Sequence, residues 1–231
     1  MIGWIDPVYF LFALPGLALS LWASFYTKST FKKYSRVGSR RGMTGAQAAQ
    51  ELLRSNGVEH VRIEQVRGFL SDHYDPRTRT LRLSPGVYGS QSLSAIGVAC
   101  HEAGHALQHA QNYAPLQLRT SLVPATMVGS NFSYVLILAG VWFHSQPLVL
   151  LGAACFSLAV LFSLVTLPVE WNATARAKRA MAHAGIVSEQ EASHAGRVLN
   201  AAFLTYVAAA VSSLLILLYY LMRAGVFGGD D

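Results

Sequence analysis

The sequence predicts a mainly α-helical membrane protein in which four transmembrane helices carry a small α+β unit on one side of the bilayer. Three observations lead there. Only 13% of the 231 residues are charged and 52% are hydrophobic, with a mean hydropathy of +0.34, whereas soluble domains carry about 25% charged residues. The apolar residues collect in four long runs instead of spreading through the chain. The 18 Lys and Arg residues fall almost entirely into two of the stretches between those runs.

A helix that crosses the bilayer needs about 20 mostly apolar residues. Val8 to Tyr26, Leu122 to Phe143, Leu148 to Leu167 and Ala201 to Met222 each reach that length. Only His144, Ser145, Gln146 and Pro147 separate the second run from the third, so these two should form a tight helical hairpin. Ser130, Asn131 and Ser133 lie inside the second run and are expected to face other helices, where small polar groups pack and hydrogen-bond. The first run lacks a basic segment ahead of it, and its positive charge follows, which is the wrong order for a cleaved signal peptide. Lys28 to Arg119 holds 13 of the 18 basic residues; Glu170 to Asn200 holds four more, Arg176, Lys178, Arg179 and Arg197, leaving only Arg223. Basic residues mark the cytoplasmic side. Both stretches should therefore be cytoplasmic, with the two termini and the hairpin turn outside. The net charge of +6 then reflects membrane topology, and no nucleic-acid partner is expected. Cys100 and Cys155 fall in helical runs and form neither a disulfide framework nor a Cys-based metal spacing.

The first basic stretch has its own order. Thr44, Gly45, Ala46 and Gln47 resemble a capping box that opens a helix through about Arg54, with Gly57 past its end. His60 to Val66 alternates apolar and polar residues, as a half-buried strand does. Phe69 to Tyr74 and Thr80 to Leu83 flank Asp75, Pro76, Arg77 and Thr78, a turn composition, and read as a hairpin. Ser84, Pro85 and Gly86 break it, and a long helix follows from about Ser92 to Asn112. This polar part is too small to be a comfortable independent domain and should rest on the membrane helices.

Chemistry concentrates in that long helix, at His101-Glu102-Ala103-Gly104-His105. Residues i and i+4 share one helical face, so His101 and His105 can bind one metal ion. Glu102 points to the neighbouring side, where it can act as a general base without being a ligand. A catalytic zinc takes three protein ligands and keeps a fourth position open. His109 cannot be the third, because it lies eight residues from His101, about 12 Å along a helix; it reads instead as a residue behind the ligands or facing solvent. His60, His73, Glu170, His183 and His194 remain, and Glu170 stands out. It follows Leu167, Pro168 and Val169 at the end of the third run, where an acidic residue beside a bilayer needs a reason. That position also places the metal at the membrane surface. His73 and Tyr74 are candidates for stabilising an oxyanion or contacting substrate, since the hairpin precedes the catalytic helix and can lie beside it. Its strand edge can also receive an extended peptide.

The chain also resembles the YugP-type neutral zinc metallopeptidases, a family of bacterial membrane proteins. The resemblance rests on Ser71 to Thr78, Leu81 to Pro85, His101 to His109, Tyr113 to Leu116, Leu167 to Glu170 and Leu199 to Ala202, and covers almost the whole chain. It implies one zinc ion held by His101, His105 and Glu170, with Glu102 as the base: a gluzincin-like peptidase on a zincin-like unit. In related membrane peptidases, an Asp four residues after the third ligand orients a zinc-binding His. That position is Thr174 here, so Thr174 and Asn172 are the polar residues expected behind the ligands, with His109.

The expected organisation is a first transmembrane helix at 1–27, a cytoplasmic catalytic segment at 28–121, a transmembrane hairpin at 122–168, a cytoplasmic segment with the third ligand at 169–200, and a last transmembrane helix with a short tail at 201–231. The expected activity is cleavage of membrane or membrane-proximal proteins at the cytoplasmic surface of the bacterial inner membrane. The expected partners are a peptide or membrane-protein substrate, the lipid bilayer and room for a membrane-borne regulator. The competing reading is a catalytically silent metal-binding membrane scaffold, and Glu102 argues against it because a scaffold needs ligands but no base. A transporter is disfavoured because the spans carry almost no charge.

Overall fold

The computed structural model describes residues 6–68 and 71–226. In chain order the elements are α1 (Pro7–Tyr34), α2 (Gly45–Ser55), β1 (Arg62–Gln65), β2 (His73–Asp75), β3 (Thr80–Leu83), α3 (Pro85–Tyr88), α4 (Leu93–Ala110), α5 (Ala114–Trp142), α6 (Gln146–His183) and α7 (Glu189–Arg223). The protein is mainly helical, and α1, α5, α6 and α7 are each long and apolar enough to cross a membrane. The chain forms two compact units, one from Ser24–Gln117 with Val169–Leu204, the other from Met1–Ala23, Leu118–Pro168 and Thr205–Asp231.

The first unit holds the polar elements. Thr44 caps α2 as its sequence predicts: its hydroxyl accepts from the Gln47 amide, and the Gln47 side chain accepts from the Thr44 amide. Gly57, at φ +72°, supplies the left-handed turn that ends this helix. The sheet has the order β1-β3-β2, with β1 parallel and β2 antiparallel to β3. The hairpin expected on either side of Asp75 to Thr78 is present from His73 onward; Phe69 and Leu70 lie outside the described residues. Asp75 holds its turn by accepting from the Arg77 amide and the Thr78 hydroxyl, and it pairs with Arg82 at 3.1 Å. These bonds hold its carboxyl down at about 2. Ser84 then opens the single turn of α3, with Pro85 in the first helical position.

α4 is the centre of this unit. Its buried stripe of Leu93, Ile96, Ala99, Cys100, Ala103 and Leu107 joins Leu52 and Leu53 of α2, Leu81 and Leu83 of β3, and Ala177 and Met181 of α6 in one core. Small residues let backbones come close: a Cβ at Gly104 would lie 2.8 Å from the Ala173 carbonyl oxygen on α6. The end of α1 is tied to α7 by the Thr27 hydroxyl donating to the Ala201 carbonyl at 2.7 Å and by the stacking of Tyr34 on His194.

The second unit consists of the apolar parts of the four long helices. Leu11, Phe132 and Leu138 are among many large apolar side chains exposed on its surface, as a bilayer requires. Its contacts are made by small residues, with Gly16 against Ser212, Gly129 against Cys155 and Leu158, and Gly152 against Ile137. Arg223, the basic residue isolated by the charge pattern, pairs with Asp6 at 3.4 Å, and Asp6 also accepts from the Tyr219 hydroxyl. One feature extends the sequence expectation and one differs from it. The third apolar run ends near Leu167 but its helix does not stop there: α6 continues through Pro168 to His183, so the apolar and polar parts share one helix. Of the polar residues in the second run, Ser133 is buried against the chain, but Asn131 is exposed.

The close approach at Gly104 makes a measurable prediction. Gly104→Ala should destabilise the protein by about 1–3 kcal/mol through overpacking against backbone. Gly89→Ala should cost almost nothing, because an added carbon there meets no atom within 4 Å. Equal thermal unfolding midpoints for the two variants would contradict the α4–α6 packing.

Candidate metal centre

Helical spacing places His101 and His105 on one face of α4, and α6 brings Glu170 against them. His101 Nε2 lies 3.1 Å and His105 Nε2 3.5 Å from the same atom, Glu170 Oε2. Ligand atoms of the three residues all lie within 4.8 Å of one another. Glu170 is 2% exposed, and a carboxylate so far from water needs positive or hydrogen-bonding partners. Two imidazole nitrogens and one carboxylate oxygen converging on one point are the donor set of a catalytic zinc. The residues present therefore fit a zinc ion.

Each histidine is held from behind through its other ring nitrogen. His101 Nδ1 hydrogen-bonds the Thr174 hydroxyl at 3.3 Å. His105 Nδ1 hydrogen-bonds Gln108 Oε1 at 3.0 Å. Gln108 is fully buried, and its Nε2 donates to the Val169 carbonyl at 2.8 Å and to Asn172 Oδ1 at 3.0 Å. Arg176 Nε donates to the same Asn172 oxygen at 2.6 Å, and its guanidinium also bonds Gln111. Each Nδ1 bonded outward leaves Nε2, which here bonds Glu170, as the nitrogen that can exchange its proton for a metal ion. Thr174 thus holds His101 directly, and Asn172 holds His105 through Gln108. The sequence reading had not singled out Gln108. Its signal is a polar residue three positions after His105 on a face that is otherwise buried and apolar.

Glu102 is partly exposed beside the two histidines. Burial of its carboxyl lifts the pKa; His101 and His105 oppose that rise, and the charges of Glu170 and Asp72 add to it. For His105, burial favours the neutral ring, but the hydrogen bond and charge of Glu170 outweigh it and raise the pKa. Asp72 is fixed by accepting from the Ser84 amide at 2.7 Å and from the Ser84 hydroxyl at 3.1 Å.

The remaining candidates separate. Tyr74 turns toward α4, where its hydroxyl and His109 Nδ1 share a 2.9 Å hydrogen bond, and burial raises the Tyr74 pKa. His109 therefore supports the hairpin. Neighbouring strand residues point to opposite faces, so His73 faces away from Tyr74. It is exposed, lies opposite Arg82 and hydrogen-bonds the Ser71 carbonyl at 2.8 Å. The other histidines once open as third ligands are elsewhere: His60 and His183 are exposed, and His194 stacks on Tyr34.

Residues 9–225 match the family model described as "Putative neutral zinc metallopeptidase". This chain belongs to that family. It is also 46% identical over 215 residues to the "Putative membrane protease YugP" of Bacillus subtilis (strain 168), covering 93% of this chain and 96% of that protein. No solved structure matches the chain. Zinc is thus the cofactor of the family, and His101, His105 and Glu170 form the group in this member able to hold it.

The Gln108 contacts predict the effect of removing them. Gln108→Leu should weaken zinc binding about 10- to 100-fold, the usual effect of losing the partner of a ligating histidine. Chelator competition measures this, and undiminished affinity would show that Gln108 does not orient His105.

Proposed function

We propose that this member of the family is an endopeptidase of the bacterial inner membrane that cuts membrane or membrane-proximal proteins on the cytoplasmic side. The observation that carries the reading is Glu102 beside the triad of His101, His105 and Glu170, a base placed where a purely structural metal site has no use for one. His101, His105 and Glu170 would hold the ion, with Thr174 and Gln108 fixing the two rings and Asn172 fixing Gln108. Bound there, zinc supplies polarisation of the scissile carbonyl and a water acidified to a pKa of about 7. Glu102 accepts the proton of the attacking water and delivers it to the leaving amine. The raised pKa of its carboxyl suits both tasks, since a proton carrier works best near the ambient pH. Of the two oxyanion candidates, Tyr74 is the better, because it turns toward α4 and His109 holds its hydroxyl. The outer edge of β2 carries no strand among the described residues and suits an extended peptide.

Two further features support the location. The basic residues cluster in the stretches that carry the triad, as cytoplasmic segments do. Glu170 follows Pro168 by only two positions on α6, which favours a site near the membrane surface and substrates that lie there. In this reading residues 28–121 and 169–200 supply the catalytic unit and gluzincin-like ligands.

Metal analysis and peptidase assays test this directly. His101→Ala, His105→Ala and Glu170→Ala should each lose most bound zinc. Glu102→Gln should keep its zinc and lose activity by about 10²- to 10⁴-fold, the share of a general base. Full zinc content in Glu170→Ala would remove Glu170 from the ligand set, and an active Glu102→Gln would end the assignment of the base. The orientation has its own measurement. A cysteine at position 40 should resist an impermeant thiol reagent in intact cells, and labelling there would reverse the topology.

A further inference from the structure

Asn131 sits where a primary amide is costly. It lies nine residues after Leu122 and twelve before Phe143, about 14 Å and 18 Å along a helix from the two ends of the apolar run. That is near the middle of the hydrocarbon, where no water is available to bond it. Its side chain is exposed and has no hydrogen-bond partner among the described residues. Several serines of these helices are by contrast satisfied within the chain: Ser133 donates to the Ser130 carbonyl, Ser20 bonds Ser212, and Ser163 bonds Ser213. The side of α5 that packs on α6 is marked by Gly129 and Gly140. Asn131 belongs to a different stripe, with Met127, Val128, Tyr134, Val135 and Leu138, whose exposures run from 59% to 68%. A lipid-facing surface would be complete without an amide, so this stripe has a polar group that lipid cannot satisfy.

The geometry points to a second copy of this chain as the occupant, with α5 against α5 and the two Asn131 side chains hydrogen-bonded to each other. An amide carries both donors and an acceptor, so Asn131 is complementary to itself. Two copies inserted with the same topology hold residue 131 at the same depth. A two-fold axis along the membrane normal therefore brings the pair together without any shift. The flanking Val128, Val135 and Leu138 would pack around the pair, and interhelical amide bonds of this kind are a known source of association in bilayers. This inference uses only the membrane character of α5 and is independent of the peptidase reading.

Subunit counting by single-molecule photobleaching tests it on the full-length protein in dilute phosphatidylethanolamine–phosphatidylglycerol vesicles. Wild type and Asn131→Gln, which keeps the amide, should bleach in two steps. Asn131→Val should raise the dimer dissociation constant about tenfold or more and bleach mainly in one step, with zinc content unchanged as evidence that the fold is intact. Asn131→Cys, with Cys100 and Cys155 replaced by Ser, should form a disulfide-linked dimer on oxidation. A monomeric wild type, an Asn131→Val variant as dimeric as wild type, or cross-linking of position 131 to a different protein in cells would each overturn the proposal.

Discussion

A carboxylate at 2% exposure is stable in a protein only if other groups replace its hydration, and Glu170 meets that condition through His101 and His105. Much of the polar unit can be read as what is required to keep that meeting in place. The residues of α4 that touch α6 must be small, and Gly104 lies so close to Ala173 that a single added carbon would crowd it. The histidines must present Nε2 inward, which fixes Nδ1 outward and demands acceptors for it. Thr174 and Gln108 provide them. Both bonds tie α4 to α6, because Thr174 belongs to α6 and Gln108 reaches Val169 and Asn172 there. The pieces of the site are thus also the cross-links between the two helices that form it.

The choice of uncharged groups behind both histidines has a chemical consequence. A carboxylate in that place makes an imidazole more electron-rich and adds a negative charge. Thr174 and Gln108 orient the rings without adding one. The site already contains Glu170 and Glu102 and lies within the field of Asp72. Another carboxylate would push the Glu102 pKa further up, so neutral partners limit the accumulation of like charge around that carboxyl.

The membrane part follows a simpler rule. Lipid offers no drive for apolar helices to associate, so contact depends on close packing and on the few polar groups available. Glycines and serines provide this among α1, α5, α6 and α7, and the Asp6–Arg223–Tyr219 cluster supplies charge pairing for the basic residue that lies outside the two basic stretches. Asn131 departs from that economy on an exposed face, which is what makes its surface informative.

Local and compositional features were legible in the sequence. Apolar run length located the four long helices, the Thr44 capping box and Gly57 bounded α2, and turn chemistry at Asp75 to Thr78 located the hairpin. The His101–His105 face followed from helical spacing, because each of these signals depends on neighbours within a few residues. What the sequence left open depended on the third dimension. Apolar run length marks where a helix becomes polar and not where it stops, so the continuity of α6 through Pro168 was invisible. Alternation along β2 allowed either Tyr74 or His73 to face α4 until the pairing with β3 set the register. Gln108 looked like one polar residue among many, because its importance comes from Val169 and Asn172, 61 and 64 positions away. By itself the sequence determined the helices, the charge asymmetry and the histidine pair on one face of α4; only tertiary structure decided which distant side chains complete the site, since burial and hydrogen-bond partners across such separations exist only once α4 and α6 have packed.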